Sequence, residues 1–181
     1  MEARPSFRSL RGVAALAALL LSSAVPLPLR AAHGGPDGYG YTWKDSAEGV
    51  PVEDIPFDAS PSLACPAASE WLSPPGQPIG FDFFFYGRWY RTLQVSDNGW
   101  ASFVTQAGSC PSGTWMPAGA EPEAFVAPLW DDLSISTVQW GPILGGEGFE
   151  IAWEGFQPDV VGFRNVSFRL YLFRDGRIRF T

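Results

Sequence analysis

An all-β fold, a two-layer antiparallel β-sandwich of jelly-roll-like character, is what this sequence predicts, and three observations carry that expectation. Runs such as Phe149–Glu154 and Arg164–Phe173 alternate apolar and polar residues with a period of two. The stretch PIGFDFFFYGRWYRTLQVSDNGWASF, Pro78–Phe103, packs aromatic residues into segments punctuated by turn signals. No segment carries a convincing helical stripe. Period-two patterning describes strands with one wet and one buried face, and two packed sheets cover many such strands economically.

From the N-terminus, HGGPDGYGYTWKDS (His33–Ser46) begins in Gly-rich turns and leads into a short aromatic strand, Tyr39–Trp43. Val52–Phe57 reads as a second short strand, and the Pro/Ser/Ala-rich Ala59–Gln77 as a long loop. The aromatic stretch then makes three strands. One ends at Tyr86-Gly87, one is Trp89–Val95, and one is Gly99–Phe103 beyond the turn Asp97-Asn98-Gly99. Asn-Gly between alternating runs is a strong hairpin signal, because such a turn asks for positive φ at both central residues. Gln106–Glu123 is a loop, and Phe125–Leu133 is a strand that Pro128 confines to an edge or bulge. Thr137–Ile143 follows. Phe149, Ile151 and Trp153 share one face of the next strand, with Glu150, Ala152 and Glu154 on the other. Val166, Phe168, Leu170 and Leu172 oppose Asn165, Ser167, Arg169 and Tyr171 in the strand after that. Asp175-Gly176 turns the chain into Arg177–Thr181, with Ile178 and Phe180 inward. Because Thr181 stops inside a strand, the expectation is a truncated chain or an N-terminal piece of something longer.

Residues 1–32 have the features of a signal peptide. Arg4, Arg8 and Arg11 precede an apolar run, Gly12–Leu21, too short to span a bilayer. Small residues follow, with Ala24, Ala31 and Ala32 as alternative cleavage points, and residues 33–181 form one domain-sized remainder. Export is therefore expected, with no membrane insertion of the mature domain. Without the leader, 8 basic face 18 acidic residues, a formal charge of −10. That balance argues against nucleic acid and anionic lipid as partners. Cys65 and Cys110 are the only cysteines, an even count in an exported chain, and a disulfide is the natural reading. It would close a loop of about 46 residues and stabilise the fold by about 3–4 kcal/mol. Two free thiols or an intermolecular bond are the alternatives.

The stretch Pro78–Phe103, then AFVAPLWDDLSI, FEIAWEGF and FRLYLFRDGRIRF, together resemble the nidogen-like extracellular domain, and more closely its relatives in bacterial secreted and surface proteins. The shared pattern is a Gly-Phe-x-Phe-x-Phe-Tyr-Gly strand, a Val-Ser-x-Asn-Gly hairpin, an Ala-Pro-x-Trp-x-Asp-Leu strand and an Asp-Gly hairpin. The opening GPDGYGYTWKDS looks like the start of many exported bacterial proteins of this kind. The resemblance covers most of residues 36–181; the Cys65/Cys110 pair is not part of the general pattern. It implies an adhesion or matrix-type module and brings no catalytic residues with it.

The residues themselves offer little chemistry. His33 is the only histidine and sits beside the cleavage points, which excludes a Ser-His-Asp or Cys-His unit within the domain and zinc sites of the Cys/His kind. Asp131 and Asp132, with Asp37 and Asp45 from the opening loop, are candidate calcium ligands; otherwise they accept backbone N–H bonds at strand ends. Glu150 and Glu154 share a face, but the position between them is Ala152, where some jelly-roll glycosidases place a third acid. A solvated face is the plain reading. Trp89, Trp100, Trp115 and Trp140 lie near strand ends or loops and form a candidate binding face, unless they are core. Asn165-Val166-Ser167 matches a glycosylation sequon at a mid-strand position. The resulting expectation is a non-enzymatic extracellular module, without a cofactor unless calcium binds, that recognises a protein or glycan ligand. The alternative is an accessory or catalytic domain of a secreted carbohydrate-active enzyme.

Overall fold

The computed structural model describes residues 32–46, 55–65, 70–106, 123–159 and 162–181. The regular elements in them are strands and short 3-10 turns, at Ser46 and at Leu144–Gly146. In chain order the strands are β1 (His33–Gly34), β2 (Trp43–Lys44), β3 (Ser62–Ala64), β4 (Gln77–Phe85), β5 (Arg88–Val95) and β6 (Ala101–Ser102). They continue as β7 (Phe125–Val126), β8 (Ser134–Ile143), β9 (Gly148–Asp159), β10 (Gly162–Phe173) and β11 (Ile178–Phe180). One sheet runs β11-β10-β9-β8-β3 and the other β4-β5-β6-β7, all pairs antiparallel. β1 and β2 make a separate two-stranded ribbon. Residues 1–31 of the leader, Val52–Asp54, Cys110 and Trp115 lie outside the described residues.

The two sheets share one core because their alternation points inward together. Ile79, Phe81, Phe83 and Phe85 of β4 meet Phe149, Ile151 and Trp153 of β9 and Phe168, Leu170 and Leu172 of β10 in a single cluster. Phe103 is the hinge of its aromatic part, with the rings of Phe83, Phe85 and Tyr90 centred 5.3, 4.8 and 5.1 Å away. Each such side chain contributes about 1.5–3 kcal/mol on burial.

Several boundaries differ from the sequence expectation. Tyr39–Trp43 is mostly turn, and only Trp43 pairs, with Gly34. The Ala59–Gln77 loop contains β3, while Phe125–Leu133 yields only two strand residues before the chain leaves the sheet. Phe180 is exposed rather than inward. The Asp97-Asn98-Gly99 turn differs most. Only Gly99 has positive φ, at 73°, and Ser96 N–H donates to Trp100 O, so the loop is the three-residue kind rather than the two-residue kind. Nor is it a wet tip: Ser96, Asp97 and Asn98 are all buried.

These buried polar groups are satisfied by distant chain. Asp97 Oδ2 accepts the Trp71 N–H at 2.9 Å, Asn98 Oδ1 accepts the Leu133 N–H at 3.2 Å, and Ser96 O accepts the Trp153 indole N–H at 2.7 Å. The turn is thus a polar plug that ties three loops and β9 together, as an enclosed polar group requires. Gly99 is needed for space as well as for φ. A Cβ there would sit 1.9 Å from the Leu129 carbonyl oxygen.

The outer face of the five-stranded sheet is not uniformly wet either. Ile143, Tyr171 and Phe173 form a second small core beneath Ile55 and Phe57. Phe57 bridges to Ile143, and the Asp58 carboxylate accepts the Gly145 and Gly146 N–H groups, each at 2.8 Å. Glu150, expected on a solvated face, is fully buried on this side and paired with Arg169 at 2.8 Å. Burial works against the Arg169 charge, but the Glu150 carboxylate and the Tyr171 hydroxyl together outweigh it and raise the guanidinium pKa.

Candidate ligand-binding site

Once the core is assigned, one group of exposed aromatics remains at the β4–β5 hairpin, while Trp43, Phe180 and the Phe156–Phe163 pair of the β9–β10 hairpin are exposed as well. β4 and β5 alternate, so Phe83 and Tyr90 point inward while their neighbours Phe84 and Trp89, a directly opposed pair, point out. Their rings lie 5.0 Å apart, and Trp89 is 69% exposed. Tyr86 follows at the hairpin turn in a left-handed conformation, φ 43°, and is also exposed. Tyr41 stacks on it at 4.9 Å, and Tyr39 meets it edge-on at 5.0 Å.

The loop that brings these tyrosines is held by its own acid. Asp37 Oδ1 accepts the N–H groups of Tyr39 and Tyr41, both at 2.9 Å, and the Asp37 N–H donates to Tyr41 O. The Tyr41 N–H comes first among the contacts that hold this carboxyl below its usual 3.8; desolvation opposes it, and the Tyr39 N–H and the Tyr86 hydroxyl add to the lowering. The Tyr41 hydroxyl donates to Phe84 O at 3.2 Å, which fastens the loop to β4.

Between this loop, the β4–β5 hairpin and the β10–β11 turn lies a pocket of about 240 Å³. Tyr39, Tyr41, Phe84 and Trp89 form its aromatic walls, and Arg174, Asp175, Gly176 and Gly40 the polar remainder. Both charged residues are preset. Arg174 contacts Glu147 at 3.2 Å and donates to Gly146 O at 2.9 Å; Asp175 accepts the N–H and Nε–H of Arg177 at 3.1 and 2.8 Å. Desolvation of Asp175 is outweighed by those Arg177 contacts, and its pKa is lowered.

Of the four tryptophans expected to share a binding face, only Trp89 is placed for one. Trp100 is fully buried, Trp140 is core with its indole N–H donating to Gln77, and Trp115 lies outside the described residues. The exposed partners of Trp89 are Phe84, Tyr86 and Tyr39, which sequence reading did not single out. The alternation that puts Phe83 and Phe85 inside also puts Phe84 outside, so the signal was present.

The four acids considered for calcium are dispersed. Asp37 sits at the Tyr86 end of β5, whereas Asp131 and Asp132 lie near Leu133, which bonds to Asn98 beyond the other end of that strand. Eight strand residues separate the ends, about 25 Å. Asp131 accepts from Gln157 Nε2 at 2.7 Å and from the Asp132 N–H at 2.8 Å, and Asp45 accepts the Ala32 N–H at 2.8 Å. Among the described residues no three His, Cys, Asp or Glu side chains gather to hold a metal ion. Cys65 is exposed just after β3. Asn165 is exposed on β10. No helix among the described residues is long and apolar enough to cross a membrane.

A family model described as NIDO related matches residues 67–181, more than half of the chain. No curated protein and no solved structure matches.

Proposed function

The chain belongs to the NIDO-related family, and on that premise we propose that it is an exported, non-enzymatic recognition module that serves adhesion from the cell surface or within a secreted protein. The observation that carries this is the grouping of exposed Trp89, Phe84 and Tyr39 as walls of one pocket, with exposed Tyr86 beside them. Exposed apolar patches of this kind mark interaction sites. A non-enzymatic role is supported by Glu150, the acid that strand patterning offered to glycosidase chemistry, which is enclosed and paired with Arg169. Export is supported by the leader-like first 32 residues.

Two measurements test the proposal. Mass spectrometry of material outside the cell is expected to find chains lacking residues up to Ala24, Ala31 or Ala32; absence of the protein there refutes export, and an intact Met1 on most molecules refutes removal of the leader. The exported protein is expected to bind extracellular surface material in a sedimentation assay, and Trp89→Ala to lose that binding. Equal binding by the variant removes the aromatic site from the proposal.

A further inference from the structure

We propose that the aromatic pocket binds a neutral glycan, with a sugar ring against Trp89 and its hydroxyls served by the polar side of the pocket; this rests on the recognition reading above and names its ligand class. A sugar ring is itself two-sided, with C–H faces that suit an aromatic surface and a rim of hydroxyls that need paired donors and acceptors. The pocket has the same division. Phe84 and Trp89 supply a tilted aromatic wall, and Arg174, Asp175 and the backbone at Gly40 and Gly176 supply the polar one.

The polar groups are fixed but not exhausted. One of the five guanidinium N–H donors of Arg174 is spent on Gly146 O, and Glu147 lies in ion-pair contact beside it. Each carboxylate oxygen of Asp175 accepts from Arg177 and keeps a second lone pair. Preset donors and acceptors avoid the cost of ordering them on binding. Charge selects a neutral ligand. Arg174 and Asp175 cancel within the pocket, and the formal −10 of residues 33–181 disfavours approach by an acidic polymer. Size argues against a protein partner as the principal occupant, since a standard protein interface covers about 800 Å² per side. Here the exposed rings surround a concavity of about 240 Å³.

Half of the aromatic wall lies outside the family-matched residues. Tyr39 and Tyr41 precede the family-matched residues 67–181, so the segment that Asp37 folds completes the pocket and sets its shape. Ligand preference is therefore a property of the opening DGYGY segment as well as of the sandwich.

The test uses the exported, isotope-labelled protein and follows the backbone N–H resonance of pocket-lining Gly176, present in parent and variants alike, during titration with four neutral hexasaccharides, built of glucose, mannose, xylose or N-acetylglucosamine. A saturable shift with at least one of them is expected. Trp89→Ala should weaken that binding about tenfold or more, and Trp89→Phe should recover part of it. Because Trp89 is largely exposed, both variants are expected to melt as the parent does, which separates lost contact from lost fold. If none of the four shifts the resonance while Trp89-dependent binding to surface material persists, the glycan assignment is overturned and the recognition reading stands. Loss of that surface binding on protease treatment of the material would identify a protein ligand and overturn it equally. If Trp89→Ala alters nothing in either assay, the glycan assignment falls together with the aromatic site.

Discussion

Replacing Gly99 by Ala isolates what the buried turn demands of the chain. An L-residue at φ 73° costs about 1–2 kcal/mol relative to glycine. The added Cβ would also lie 1.9 Å from the Leu129 carbonyl oxygen, a backbone atom that no rotamer change can move aside. The turn or the Leu129 segment has to shift, which strains the bond from Leu133 N–H to the buried Asn98 Oδ1. Loss of a bond to a buried polar group adds about 1–3 kcal/mol. The expected total is about 2–5 kcal/mol, a large part of the 5–15 kcal/mol that holds a typical domain together. Gly80→Ala is the control. Its φ of 94° is equally unsuited to alanine, but nothing lies within 4 Å of the added carbon, so about 1–2 kcal/mol is expected. Urea unfolding of parent and both variants, with m-values compared, gives the difference. Equal losses for the two would show that close approach at Gly99 contributes nothing, and the account of the turn as a packed plug would fail.

Other expectations concern separate parts of the molecule. Arg169→Leu removes the guanidinium 2.8 Å from an enclosed carboxylate and should cost about 3 kcal/mol in the same unfolding assay, with Arg169→Lys recovering part; a change under about 0.5 kcal/mol would place Glu150 in some other balance. Asp37 has a folded pKa below 3.8, so its hold on the Tyr39 and Tyr41 amides is complete above that pH and lost as pH falls through the depressed folded value. Hydrogen exchange at those amides should show that acid loss in the parent and no such step in Asp37→Asn. Non-reduced intact mass should be lighter by two hydrogens if Cys65 and Cys110 are joined within one chain, and the unreduced mass of a dithiol would refute the pairing.

Sequence alone made the inner faces of the sheets readable. In β9 and β10 every second residue is large and apolar, and Phe149, Ile151, Trp153, Phe168, Leu170 and Leu172 are all core. Period-two patterning reports a face, but it cannot say whether the opposite face is water or another segment. Tyr171 and Glu150 looked solvated because the strap that covers part of their face comes from Ile55–Asp58, remote in sequence. Turn chemistry was read with the same blindness. Asn98-Gly99 announced a reversal correctly, yet burial of the turn depends on Trp71, Leu133 and Trp153, none of them neighbours in the chain. The site was half legible. Trp89 was named for its place at a strand end, whereas its grouping with Tyr39 and Arg174 needs three segments to converge.

The plug at Ser96–Asn98 also bears on how quickly the chain can reach this structure. A hairpin turn normally closes by itself in about 1–10 μs and seeds the strands on either side. This one leaves polar groups enclosed, and their partners lie 26, 35 and 57 residues away. Forming the β5–β6 hairpin early would therefore gain little until Trp71, Leu133 and Trp153 arrive, and loop-closure entropy opposes each arrival. Folding rates fall as such non-local contacts come to dominate, to the ms–s range for sandwiches. Substitutions in the plug should consequently slow refolding rather than speed unfolding if the three arrivals occur before the rate-limiting barrier, and do the reverse if docking comes after it. A single reversal in the chain thus serves as the clock by which assembly of both sheets can be timed.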